Sequence, residues 1–140
     1  MTIGTKSFRY LIMAGGTGGH IFPALAVAEQ LRERGAEIHW LGTQLGMEFT
    51  LIPKHNISLH LVTVKGFRGK GLLKKMLSPF LLIKAIIEAI LIIRMVAPDA
   101  VIGFGVYVVA PGGIAAFILG KSLIINEQNS FASTVTNLLS

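Results

Sequence analysis

The sequence predicts an α/β fold, a Rossmann-like parallel sheet with helices on both faces, and three observations carry that reading. Short apolar runs bounded by turn residues alternate with stretches of helical spacing along all 140 residues. That strand–helix order repeats, which implies a parallel sheet with helices on both faces. Glycine-rich or polar loops follow three of them, at the positions where sheets of this kind bind ligands.

The elements follow in order. Phe8–Met13 reads as the first strand. Ile21–Arg34 reads as a helix with Pro23 in its first turn, with Ala24, Val27, Ala28 and Leu31 on one face and Gly35 as the stop. Glu37–Leu41 is the second strand, ended by Gly42. A short helix around Glu48–Lys54 leads to a third strand at Ser58–Val64. A basic loop, Lys65–Gly71, precedes a long helix that has Pro79 near its start and ends at about Val96. Ala100–Gly103 is a short strand feeding a glycine turn, Gly112–Leu119 a small helix, and Ser122–Asn126 the last strand.

Composition narrows the class. The chain is 52% hydrophobic and 14% charged, which excludes a disordered tail, because disorder needs low hydrophobicity and high charge. Zero cysteines exclude a disulfide scaffold and any thiolate metal site. The single aspartate, Asp99, rules out every local motif of paired aspartates, so neither a metal nor a cofactor is read from the sequence. A mean hydropathy of +0.67 is high enough that a bilayer or a partner is expected to cover part of the surface.

The longest apolar stretch, Phe80 to Ala97, holds Lys84, Glu88 and Arg94. Those charges fall within an arc of roughly 120°, so the helix lies in a core or on a membrane surface and does not cross one. No acidic residue stands between Glu48 and Glu88, whereas Lys54, Lys65, Arg68, Lys70, Lys74, Lys75 and Lys84 do. A basic block beside an apolar helix suits anionic headgroups, with Lys70, Lys74, Lys75, Leu77 and Leu81 as the expected contacts. Nucleic acid is not expected, since interleaved aromatics are sparse and no binding motif is present.

Three loops carry the candidate chemistry: Gly15–His20, Gly103–Gly113 and Glu127–Ser130. The first is not a P-loop, because no Lys-Ser/Thr pair follows it. It also departs from the dinucleotide fingerprint, with Ile21 in place of the third glycine and no acid after Leu41-Gly42-Thr43 to hold a ribose. Four glycines allow close backbone approach, and a helix N-terminus offers free N–H groups to an anion. His20 leaves this loop at the predicted ligand edge, where an imidazole can accept a proton near neutral pH. The same loops read without a ligand are a tight turn and capping residues.

Met13 to Ala28, MAGGTGGHIFPALAVA, resembles the opening of the MurG family. The resemblance continues through WLGT at 40–43, GFRGKG at 66–71, Pro98-Asp99, the glycine loop with Tyr107, and Glu127-Gln128-Asn129. It implies the N-terminal half of a GT-B glycosyltransferase with inverting chemistry. The family moves N-acetylglucosamine from UDP-N-acetylglucosamine to the C4 hydroxyl of undecaprenyl-pyrophosphoryl-N-acetylmuramyl pentapeptide, the lipid I to lipid II step of peptidoglycan synthesis. By this resemblance Gly15, Gly16, Thr17, Gly18 and Gly19 face the acceptor's pyrophosphate, with Thr17, Gly18 and Gly19 also touching the UDP-sugar. His20 or Glu127 would be the base, Tyr107 would lie on the acceptor side, and Asn129 would touch the donor. Val106 stands where the family usually has Gly, and Asn126 where it commonly has His.

The resemblance further implies that residues 1–140 are an acceptor-binding domain, peripheral on the cytoplasmic face of the bacterial plasma membrane. A C-terminal donor domain would act with it in cis or in trans, and the chain alone is expected not to turn over. The competing expectation is a non-catalytic membrane-docking subunit that recruits a separate donor-binding subunit.

Overall fold

The computed structural model describes residues 8–15, 18–62, 79–105 and 109–126. Five strands form one wholly parallel sheet: β1 (Arg9–Ala14), β2 (Glu37–Gly42), β3 (Ser58–Leu61), β4 (Ala100–Phe104) and β5 (Ser122–Asn126). Their order is β3-β2-β1-β4-β5, so β1 is central and the chain reverses direction of growth beside it. Among the described residues four helices cover the sheet: α1 (Gly18–Glu33), α2 (Glu48–Lys54), α3 (Pro79–Val96) and α4 (Val109–Ile118).

Two helix starts differ from the sequence reading. Helix α1 begins at Gly18, not Ile21, so Gly18, Gly19 and His20 belong to its first turn. Glycines add nothing to a side-chain period, and the first four N–H groups of a helix need no acceptor, so the winding extends back unseen. Pro23 then lies inside the helix, beyond its first turn. Helix α4 likewise begins at Val109 instead of Gly112, because Pro111 in a first turn lacks only an N–H that would have no partner there.

Side chains alternate across the sheet and fill two cores. Ile12, Ala14, Ile38, Trp40, Ile102 and Phe104 pack against α1 and α2 through Ile21, Ala24, Leu25, Ala28 and Ile52. Leu11, Met13, Leu41 and Val101 pack against α3 and α4 through Ala89, Ile93, Ala115 and Ala116. Small residues bring the second pair of helices close to the sheet. At Gly112 an added Cβ would collide with the Met13 sulfur, so any side chain there would force Met13 to move.

The amino edge of the sheet is tied shut. The Arg9 amide donates to Asp99 Oδ2 at 2.8 Å, the Asp99 amide donates to the Arg9 carbonyl at 2.7 Å, and the Arg9 guanidinium donates to the Val96 carbonyl at 2.6 Å. These bonds join the start of β1 to the α3–β4 turn and leave the functional loops to the opposite edge.

Candidate functional site

The site is built from the carboxyl ends of the strands. The buried Trp40 indole N–H donates to the Ala14 carbonyl at 2.9 Å, fixing the end of β1 where the first glycine loop departs. Gly15 is buried there, and α1 begins at Gly18. The opening N–H groups of that helix have no intrahelical acceptor, which is the chemistry an anion needs.

His20 lies in this first turn with its side chain exposed. Its ring packs on Gly105, the residue after β4. An added Cβ at Gly105 would lie 3.1 Å from imidazole Cγ and Cδ2 and 3.3 Å from Nδ1. Gly105 also has φ +98°, a conformation that side-chain-bearing residues rarely adopt. The backbone therefore favours glycine, a side chain here would push the His20 ring aside, and the exit of the first loop touches the start of the second.

The third loop leaves β5 at Asn126, which pairs with Phe104 in the same row as Ala14. The expected site residues Gly16, Thr17, Tyr107, Glu127 and Asn129 lie outside the described residues, as does Val106. Of the predicted set, the structure thus places Gly15, Gly18, Gly19 and His20 at one edge and adds Gly105 to them.

Two further residues shape this edge. Glu48, fully buried at the start of α2, accepts the Thr43 amide at 2.7 Å and the Thr43 hydroxyl at 3.2 Å through Oε2. Thr43 Oγ1 in turn accepts the Leu45 amide at 3.3 Å. A buried carboxylate on a backbone N–H is a strong, charge-assisted anchor for the β2–α2 loop. The sequence reading takes Glu48 as the start of a short helix and the edge of the basic window, and gives its side chain no role. The signal available was an acid spaced five residues beyond the Thr43 that ends the second strand's run.

Of the expected membrane contacts, Lys70, Lys74, Lys75 and Leu77 lie outside the described residues, and Leu81 is half-buried on α3. Helix α3 buries Ala85, Ala89, Ile93 and Val96 and turns Phe80, Ile83, Ile87, Leu91 and Met95 outward. Phe80 is 86% exposed and Met95 67%. Phe117 and Ile118 of α4, the helix packed beside α3, are exposed as well. No described helix is long and apolar enough to cross a membrane.

Comparison with known proteins fits this architecture. The N-terminal domain of glycosyltransferase family 28 matches residues 10–140. A relative from Cellvibrio japonicus is 56% identical over 96% of this chain, and one from Pseudomonas putida strain F1 is 53% identical over 92%. Both carry the name UDP-N-acetylglucosamine–N-acetylmuramyl-(pentapeptide) pyrophosphoryl-undecaprenol N-acetylglucosamine transferase. The matches cover 37% and 36% of those proteins, so the chain spans little more than a third of their length. The crystal structure of Acinetobacter baumannii MurG superposes with a TM-score of 0.81 at 41% identity, over 95% of this chain and 40% of that one. These matches bear out the resemblance to the MurG family and the α/β fold of GT-B glycosyltransferases. With its residues 10–140 matching throughout, the chain belongs to glycosyltransferase family 28, in the part that forms the family's N-terminal domain.

Proposed function

We propose that this chain is the acceptor and membrane half of an inverting transferase that moves N-acetylglucosamine from UDP-N-acetylglucosamine to the C4 hydroxyl of undecaprenyl-pyrophosphoryl-N-acetylmuramyl pentapeptide. The observation that carries the reading is the contact between His20 and Gly105 at the carboxyl edge, beside the open N-terminus of α1. The helix terminus and its glycines receive the acceptor's pyrophosphate through backbone N–H groups, with Tyr107 of the second loop on the same side. His20 or Glu127 takes the proton from the C4 hydroxyl as its oxygen attacks the anomeric carbon. The C1–O bond to UDP breaks, its electron pair leaves with the diphosphate, and the configuration inverts. Asn129 touches the donor.

Holding the two sugars in line supplies on the order of 7–11 kcal/mol of such a barrier, and only when both are gripped. The test therefore pairs this chain with a donor-side domain, in cis or in trans. There, His20→Ala or Glu127→Ala is expected to lower kcat by roughly 10²–10⁴, the range for a general base, with the larger loss at the base itself. Near-parental kcat in both variants removes the assignment. The isolated chain is expected to bind UDP-N-acetylglucosamine weakly and not to turn over; steady transfer by it alone overturns the half-site reading.

The membrane part of the proposal rests on the outward apolar face of α3 and the basic window before it. It places the protein at the cytoplasmic face of the plasma membrane as a peripheral protein. Binding to anionic vesicles is expected to fall with salt and with neutralisation of Lys70, Lys74 and Lys75. Leu77→Asp or Leu81→Asp is expected to weaken it at every salt concentration. Equal binding to neutral and anionic vesicles counts against the electrostatic contribution.

A further inference from the structure

Away from the carboxyl edge, four polar side chains cross three neighbouring strands on the α3/α4 side of the sheet. Register sets Arg9 beside Glu37 and His60 beside Leu41, so Arg9, Glu37, His39 and His60 share one face. Glu37 Oε2 lies 2.6 Å from His39 Nε2, and His39 Nδ1 lies 3.0 Å from His60 Nε2. The two rings are stacked with centroids 5.3 Å apart. Arg9 Nε stands 3.0 Å from the same Glu37 oxygen, near enough for an ion pair but off line for a hydrogen bond.

A carboxylate only accepts, so His39 carries its hydrogen on Nε2 and turns the lone pair of Nδ1 toward His60. Two ring nitrogens then face each other across one shared hydrogen. A tetrahedral ion about 2.0–2.1 Å from each nitrogen needs them about 3.3–3.4 Å apart, a few tenths of an ångström more than they stand. A small turn of the His60 ring on its edge strand provides that. The carboxylate behind His39 is the partner that metal-bound histidines regularly have, fixing the ring and raising its basicity.

We propose that His39 and His60 form a binding site for a borderline divalent transition-metal ion of the Zn²⁺ or Cu²⁺ class, with Glu37 orienting His39 and water completing the shell. Among the described residues no group of three or more side chains is arranged to hold an ion, so this is a two-nitrogen, exchangeable site. In the neutral His60 ring the shared hydrogen sits on Nε2, and the ion takes its place when the ring moves that hydrogen to Nδ1. The bound ion would join the edge strand β3 to β2. The site stands apart from the glycosyl-transfer reading and does not depend on it.

The experiment titrates the 140-residue chain at neutral pH with Zn²⁺ by calorimetry and with Cu²⁺ by electron paramagnetic resonance. One ion per chain with two nitrogen ligands is expected, and binding should weaken as acid protonates the imidazoles. His39→Ala, His60→Ala and the milder His60→Gln should each lower affinity at least about tenfold, with circular dichroism confirming the fold. Glu37→Gln should cost roughly 10–100-fold while keeping the stoichiometry, as loss of an outer-shell partner does. His55→Ala should leave affinity unchanged. Absence of saturable binding by the folded chain, or binding that survives either His39 or His60 substitution, overturns the proposal.

Discussion

The two helical layers of this domain bury similar cores and present opposite exteriors. On one side, α1 seals its core and shows Gln30 and Glu33 to water beside a single exposed ring, Phe22, with Arg32 paired to Glu29 at 3.1 Å. On the other, α3 seals a core of comparable make-up yet shows Phe80, Ile83, Ile87, Leu91 and Met95. The difference lies in the residues that packing does not use. On α1 they are mainly polar, Phe22 and Ala26 apart; on α3 five large apolar residues form a row with Lys84 and Arg94 beside it, the pattern of a surface that meets another phase or partner. Burial of the core explains neither exterior, so the outer face of α3 carries information about function.

The largest expected effects come from breaking the cores where the two layers are alike. Trp40→Ala should cost about 3–5 kcal/mol, through lost packing and an unpaired Ala14 carbonyl, and Ile93→Ala about 2–5 kcal/mol. Urea unfolding of each variant measures both; a loss well under 1 kcal/mol at Ile93 would show that α3 docks loosely. Leu91→Ser, two residues away on the outer face of the same helix, should change stability by no more than about 0.5 kcal/mol while weakening vesicle binding. A large stability loss at Leu91 would mean that this face is packed against protein.

An intermediate effect is expected at the functional edge. Gly105→Ala should cost about 1–3 kcal/mol from its positive φ and displace the His20 ring, which is visible as a shift of the imidazole resonances. An unmoved His20 resonance would dissolve the contact between the two loops.

The smallest effect concerns pH and separates the polar edge of the second face from its apolar centre. His60 titrates below the ordinary 6.5 in the folded chain, so between the two values the unfolded chain binds more protons. The stability linked to His60 is therefore present above about pH 6.5 and lost as pH falls toward the lower folded value. The His39 hydrogen bond outweighs desolvation and, with the Arg9 charge, lowers Glu37 below its usual 4.5, adding a second loss at more acid pH. His60→Gln should flatten the first decline in a stability–pH curve and leave the second. An unchanged curve would place the first loss elsewhere.

Much of this was legible in the residues. Strands and helices were found in their true order because each buried run or helical period is a local pattern, and Glu48–Lys54 and Ser122–Asn126 carry the boundaries their turn residues suggest. The start of α1 was hidden, since Gly18 and Gly19 carry no side chain for a period to register. His20 was identified from its place after the glycines, but its partner Gly105 was one glycine among several in the second loop. The outward row of α3 was also only half visible: a charge-poor helix was clear, whereas which apolar side chains face out was not. Leu81 fell half-buried, and its neighbour Phe80 stands in the open.

The sequence by itself determined the alternation of elements, the parallel sheet that such alternation imposes, the glycine loops at strand ends and the family to which they belong. These follow from interactions between residues close in the chain, which a linear pattern records. Only the tertiary structure decided the order β3-β2-β1-β4-β5, the contact of His20 with Gly105, the indole bond from Trp40 to Ala14 and the meeting of His39 with His60. Each joins residues from different strands or loops, and a strand's own pattern fixes which faces it buries but not which neighbour it pairs with. That choice is made when the whole set of strands and helices packs into one sheet with two cores.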